Sequence, residues 1–224
     1  MKKAIVLLSG GMDSAVTLYK AKQDNECFAL IFSYGQKASK EVDSAVRVAE
    51  IARCRYTVLE ISLPWKGSAL LDKESGIPEY SASIGGKIPE TYVPARNILF
   101  LSYAVSYAEA IGAESVFIGA HQLDFSNYPD CREVFFDSYR KMLAKGTKAG
   151  SEGRPVDIAT PIINMTKKQI VEEGLKLGVP FGETWSCYAQ GEMPCEKCES
   201  CTFRARAFQE AGVPDPFYSR HDKV

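Results

Sequence analysis

The sequence predicts an α/β protein built on a doubly wound, mainly parallel five-stranded sheet. Three observations point there. Short apolar runs without polar alternation recur along the chain, as strands buried on both faces require. Segments with helical spacing of apolar residues follow them, the order that builds βαβ units. The first strand also gives way to its helix through SGGMDS (residues 9–14), a glycine-rich turn at the carboxyl end of a strand, where open α/β sheets bind their ligands.

Residues 3–8 form the first strand and residues 14–22 the first helix. Residues 27–32 are a second strand, and Val42, Ala45, Val46, Ala49, Ile51 and Ala52 lie roughly on one face of the helix that follows. A third strand spans residues 56–61. Residues 64–89, rich in Gly, Ser and Pro, then interrupt the pattern as a loop of the length used for lids and binding segments. The alternation resumes with an apolar helix at 97–111, a short strand at 115–119, a helix at 132–144, a fifth strand at 156–160 and a helix at 167–177. Residues 1–180 are expected to form a nucleotide-binding domain, and residues 181–224 a small C-terminal module packed on it.

Composition bounds the function. The chain has 224 residues, of which 46% are hydrophobic and 25% charged, so it can bury one sizeable core. A formal net charge of -1 supplies no global field for a phosphate backbone, which argues against nucleic acid as a partner. Local basic clusters at 141–148 and 204–206 are the places such contacts could still form. The apolar run after Met1, Lys2 and Lys3 stops at Ser9, too short for a secretory signal, and no stretch has membrane-spanning length. The expected setting is therefore cytoplasmic, with no membrane partner. There, seven cysteines point to metal or catalytic roles rather than to a disulfide framework.

Backbone N–H groups of a glycine-rich turn at a helix N-terminus converge on one spot and favour an anion, phosphate above all. Asp and Ser in the same turn could also serve only as helix caps. The stretch matches neither the P-loop lysine motif nor the dinucleotide fingerprint. It resembles the PP-loop of the ATP pyrophosphatase superfamily, which cleaves ATP between its α and β phosphates. That resemblance implies a nucleotide-binding segment of Leu8, Ser9, Gly10, Gly11, Met12, Asp13, Ser14, Ala15 and Thr17, with Ser9, Gly10, Gly11 and Ser14 on pyrophosphate oxygens. A carboxylate beside phosphate repels it unless it holds a metal or accepts backbone N–H groups. Of these, shaping the turn is the expected role of Asp13.

Near the C-terminus, CYAQGEMPCEKCESC places thiols at Cys187, Cys195, Cys198 and Cys201. Four cysteines, with two consecutive C-x-x-C steps, form a closed tetrahedral set for a structural Zn2+ ion. An iron–sulfur cluster uses the same ligands and stays open as an alternative. Cys27 and Cys54 lie in apolar segments and are expected in the core, whereas Cys131 falls in a loop.

With these features together, the chain resembles the 7-cyano-7-deazaguanine synthases, which make the nitrile precursor of queuosine. YGQ (34–36), YVPARN (92–97), DFSNYPDCR (124–132), TP (160–161) with Lys167, and TWSCY (184–188) carry the likeness. Ser33 stands where that family commonly has aspartate, and Asn127 where it commonly has glycine. The resemblance implies an adenine nucleotide alpha hydrolase-like fold and ATP-dependent conversion of 7-carboxy-7-deazaguanine and ammonia into the nitrile. It also implies Mg2+ and a homodimer. Asp13 and Ser14 are expected at the reacting phosphates with the cations Arg96, Arg132 and Lys167. Asp124 and Asp130 are candidates for Mg2+ or for the guanine-like N–H edge. Tyr34, Phe125, Tyr128 and Trp185 are candidates for stacking, His121 falls near the site, and His221 belongs to a loose tail. Two other readings remain: a tRNA-thiolating PP-loop enzyme, and a zinc-stapled nucleotide sensor without turnover.

Overall fold

A computed structural model of the chain describes all residues other than 66, 73, 82–87, 123–127 and 222–224, with the backbone alone at 220 and 221. Five strands form one sheet: β1 (Lys2–Leu7), β2 (Asn25–Ser33), β3 (Arg55–Glu60), β4 (Ser115–Phe117) and β5 (Asp157–Ala159). Their order is β3-β2-β1-β4-β5 and every pairing is parallel. The apolar run of β1 is explained by its central place, with Ala4, Ile5 and Val6 fully buried. The chain winds outward from β1 to β3, then crosses back to β4 on the other side of β1. The loops leaving β1 and β4 therefore part in opposite directions and open a crevice at the strand ends.

Helices cover both faces. Helices α1 (Met12–Ala21), α2 (Lys40–Ile51), α6 (Lys167–Leu177) and α7 (Glu199–Glu210) enclose a core containing Ala15, Leu18, Val48, Ile170, Phe181 and Phe208. Helices α3 (Arg96–Ile111) and α4 (Glu133–Gly146) cover the other face, with Leu101, Ala104, Phe136 and Leu143 packed over Ile5, Val116 and Ile158. Cys27 and Cys54 are buried in the first of these cores, as expected.

The elements depart from expectation where the chain leaves the sheet. β4 and β5 each stop at three residues: the chain after β4 turns into the cleft through Ile118, Gly119 and Ala120, and the chain after β5 goes into a turn at 161–164. β3 is an edge strand with Tyr56 and Val58 exposed. Two short helices were not expected: α5 (Lys148–Ser151) and α8 (Pro216–His221). Residues 216–221 are thus not loose, since they form a helix whose Phe217 packs against Trp185. The basic cluster at 204–206 is also corrected. Arg204 is buried, its Nε and Nη2 donating to the Asp215 carboxylate at 2.6 and 2.9 Å and its Nη1 to Thr184 Oγ1 at 2.7 Å. In the long loop, Leu70 is buried and its carbonyl accepts from Lys37 N at 3.0 Å, which folds that part of the loop against the turn after β2. Among the described residues no helix is long and apolar enough to cross a membrane.

Candidate active site

The glycine-rich turn is shaped by close packing. Leu8 N still donates to Leu30 O at 3.0 Å, so pairing with β2 continues one residue past β1. Gly10 has φ +84, and a side chain there would collide with the Glu41 carbonyl and stand 2.8 Å from Ala45 N in α2. Only glycine fits that backbone conformation and that approach. Gly11 is the N-cap of α1, its carbonyl accepting from Ala15 N at 3.1 Å. Ser14 Oγ lies 3.0 Å from Ser9 Oγ and 3.1 Å from Ser9 N, and it donates to Gly11 O at 3.0 Å. Two hydroxyls and the first amides of a helix thus gather at one point, the arrangement that binds phosphate. Gly119, after β4, passes so close that a Cβ would stand 2.9 Å from Ser14 N.

Asp13 does not shape this turn. One carboxylate oxygen accepts from Lys167 Nζ at 2.6 Å and lies 3.6 Å from His121 Nε2. Its other oxygen is buried and meets no hydrogen-bond donor among the described residues. Burial pushes the Asp13 pKa up, but the charges of Lys167 and His121 outweigh it and hold the carboxyl below the usual carboxylate range. Lys167 is delivered to this point by the first turn of α6. There Thr166 and Gln169 form a capping box, with Gln169 N donating to Thr166 Oγ1 at 3.3 Å and Thr166 N to Gln169 Oε1 at 2.8 Å. The cluster therefore draws one residue each from α1, from the chain after β4 and from α6.

These groups line a cleft of about 250 Å³ that also takes in Leu8, Met12, Arg96 and Tyr128. Arg96 enters it because Ala95, at φ 56, turns the chain sharply before α3. Its Nη1 donates to Tyr34 OH at 3.2 Å. Burial would discharge Arg96, yet the phenol oxygens of Tyr34 and Tyr128 hold it protonated above the ordinary range. The YGQ turn is closed by its glutamine, Gln36 Oε1 accepting from Tyr34 N at 2.8 Å.

The remaining expected residues are divided between the cleft and its surroundings. Asp130 is buried and caps α3: its Oδ2 accepts from Asn97 N at 3.1 Å, and its carbonyl from Asn97 Nδ2 at 3.0 Å. Arg132 is exposed at the N-cap of α4, away from the cleft lining. Ala15 and Thr17 face the core, the Thr17 hydroxyl donating to Asp13 O at 2.9 Å. Asp124 and Phe125 lie outside the described residues. Trp185 lines the cleft while mostly buried, its indole donating to Cys187 O at 2.8 Å and its backbone N to Gly10 O at 2.9 Å, so it also braces the turn. Cys131, ambiguous in sequence, lines the cleft with burial pushing its thiol up to about 12.

Two carboxyls in the cleft escaped the sequence reading, Glu41 and Glu199. Each carries a signal only in hindsight: Glu41 follows YGQ by five residues, and Glu199 stands between two cysteines of the C-terminal cluster. Burial raises the Glu41 pKa to about 7, and the charge of Arg96 offsets that only in part.

The sulfur atoms of Cys187, Cys195, Cys198 and Cys201 all lie within 4.8 Å of one another. An ion about 2.3 Å from four tetrahedral thiolates sets them about 3.8 Å apart, so the donors fit such an ion. Backbone amides already point at the sulfurs, those of Ala189 and Cys195 donating to Cys187 Sγ at 3.3 Å. The same segment supplies Tyr188, Glu199 and Phe203 to the cleft wall.

Comparison with known proteins agrees with this geometry. A family model described as queuosine biosynthesis protein QueC matches residues 3–212. A 7-cyano-7-deazaguanine synthase of Acaryochloris marina is 47% identical over 222 residues, covering 96% of this chain and 97% of that protein. One from Legionella pneumophila is 48% identical, with 96% of each chain covered. The solved NMN synthetase of Francisella tularensis shares the fold, with a TM-score of 0.51 at 20% identity over 95% of this chain and 78% of that one. With nearly the whole chain matched, and with the glycine-rich turn, the Asp13–Lys167 pair and the four-cysteine cluster in place, the chain belongs to the QueC family of queuosine biosynthesis proteins.

Proposed function

We propose that this chain converts 7-carboxy-7-deazaguanine and ammonia into 7-cyano-7-deazaguanine at the expense of ATP. The observation that carries the reading is the convergence, in one cleft of a QueC-family chain, of a phosphate-binding turn with Asp13, Lys167 and Arg96.

An unactivated carboxylate resists ammonia because oxide is a poor leaving group, so the acid must first be adenylated. Ser9, Ser14 and the amides of Gly11 to Asp13 hold the β and γ phosphates, and Lys167 and Arg96 offset charge as the α phosphorus is attacked. Asp13 keeps Lys167 aimed. Ammonia then displaces AMP to give the amide. In a second round the amide oxygen is adenylated and AMP is eliminated, leaving the nitrile. Nothing in this scheme calls for the cleft to change between rounds, since both centre on one carbon.

The buried Asp13 oxygen that meets no donor suits Mg2+, which would neutralise phosphate charge there. The four cysteines suit Zn2+ as a structural ion that keeps the tail folded over the cleft. In this reading the partners are small molecules rather than nucleic acid, the setting is cytoplasmic, and the family resemblance supports a homodimer.

Purified protein incubated with ATP, Mg2+, ammonium and the carboxylate should release AMP and pyrophosphate in equal amounts and the nitrile at half that amount, followed by mass spectrometry. AMP release that ignores the carboxylate, or an absence of nitrile, would overturn the reading.

A further inference from the structure

Nitrogen enters this reaction as ammonia and leaves as nitrile, so it sheds all of its protons inside the cleft. A group must stand beside it to take them. Asp13 is unsuited, because Lys167 and His121 hold it below the carboxylate range and it faces the phosphates. Glu199 leads α7 beside Cys198 and shares its field with Lys167.

Glu41 is placed differently. It stands in the first turn of α2, where its carbonyl closes on Gly10 of the phosphate-binding turn, and it lines the same cleft as Arg96. Among the described residues its carboxyl meets no hydrogen-bond donor. The titratable groups facing it are Arg96 from α3, Tyr34 from the turn after β2 and Tyr188 from the tail. Arg96, half-buried in the cleft and bonded to Tyr34, is the cation best placed to orient the substrate carboxylate away from the Asp13–Lys167 pair. A carboxylate held by Arg96 would present its carbon in the cleft that both the glycine-rich turn and Glu41 line.

We propose that Glu41 is the general base of the nitrogen steps, a role that rests on the function proposed above. In the first round the ammonia lone pair forms the C–N bond, the C–O bond to AMP breaks with its electron pair leaving on AMP, and the surplus N–H proton passes to Glu41. In the second, the amide oxygen bonds to the α phosphorus of ATP, the bond to pyrophosphate breaks with its electron pair leaving on pyrophosphate, and nitrogen passes one proton to Glu41. Its last N–H proton then goes to Glu41 as the C–O bond to AMP breaks and the third C–N bond forms. Between steps Glu41 returns each proton to solvent. A carboxyl that titrates near pH 7 suits this traffic, since it accepts a proton readily and gives it up again.

The test separates activation from nitrogen chemistry. Carboxylate-dependent exchange of labelled pyrophosphate into ATP, run without ammonia, reads adenylation alone. Glu41→Gln should keep this exchange within about 3-fold of wild type while nitrile formation falls about 100-fold or more. At a fixed concentration of unprotonated ammonia, wild-type nitrile formation should rise with pH through about 7, a limb that Glu41→Gln lacks and that Glu41→Asp partly restores. Retained nitrile formation in Glu41→Gln would overturn the proposal. So would exchange and nitrile formation falling together, which would make Glu41 a binding or folding residue. Absence of exchange in wild type would instead remove the proposed function, and this role with it.

Discussion

Asp13 and Lys167 lie 154 residues apart in sequence and 2.6 Å apart in space, so replacing either leaves the other's charge in a largely enclosed site. With side chains 24% and 14% exposed, the pair is partly screened, and Lys167→Met should cost about 1–3 kcal/mol rather than the larger penalty of a fully buried pair. Pyrophosphate exchange should fall far more, by about 100-fold, because the lysine also meets phosphate. Asp13 and Glu41 titrate in opposite senses. Asp13 is held low when folded, so its stabilisation is present above the unfolded value of about 3.9 and is lost as pH falls through the folded value. The stability gap between wild type and Asp13→Asn should therefore close on acidification below about pH 4. Glu41 is held high, so its contribution is full below about 4.3 and lost as pH rises through about 7. Glu41→Gln should gain melting temperature relative to wild type between about pH 5 and about pH 8, which thermal melts at matched ionic strength would check. The Asp13 motif was plain in the sequence, but its partner was not. Nothing local to SGGMDS reveals which distant cation will reach it.

At the level of elements, the capping box of α6 has a functional as well as a structural duty, because Lys167 is the first residue inside it. Thr166→Ala should cost about 1 kcal/mol and a few degrees of melting temperature. Fraying of that turn should also weaken ATP binding, measured by titration calorimetry, whereas Gln169→Glu, which keeps an acceptor at the third position, should not. Gly10→Ala is the harsher change, since it meets the backbone of α2 at Glu41 and Ala45 and needs φ +84. It should abolish exchange while α2 or the turn shifts, and the circular dichroism of the rest of the fold should persist. Strand and helix periodicity made nearly all of these elements legible, including α6 to the residue. The short helices α5 and α8 were not, because four and six residues carry too little periodicity to separate from loop. The end of β4 was overextended for a related reason: Ile118 and Gly119, which enter the cleft, look in sequence like residues that continue a ladder.

Across the whole molecule, the tail after α6 is part of the cleft rather than an appendage. It supplies Tyr188, Glu199 and Phe203 to the wall, and Trp185 N is bonded to Gly10 O. Removing the metal by chelation, or replacing Cys198 by Ser, should therefore lower melting temperature and pyrophosphate exchange together. Retention of full exchange after loss of metal would contradict that coupling. Arg204 locks the same region, and Arg204→Leu should cost about 3–5 kcal/mol, because Asp215 would remain buried and charged. In sequence, Arg204 read as a surface cation, since burial of a guanidinium depends on a carboxylate eleven residues away. The sequence by itself determined the parallel sheet, the glycine-rich turn after β1, the four-cysteine cluster and the family, all of which rest on periodicity or on spacing within short segments. Tertiary structure alone decided that Asp13 pairs with Lys167, that Asp130 caps a helix and Arg132 faces solvent, and that Glu41 enters the cleft. Those outcomes depend on which surfaces meet when separate elements pack, and pairing across the sheet is a property of the assembled core rather than of any stretch of chain.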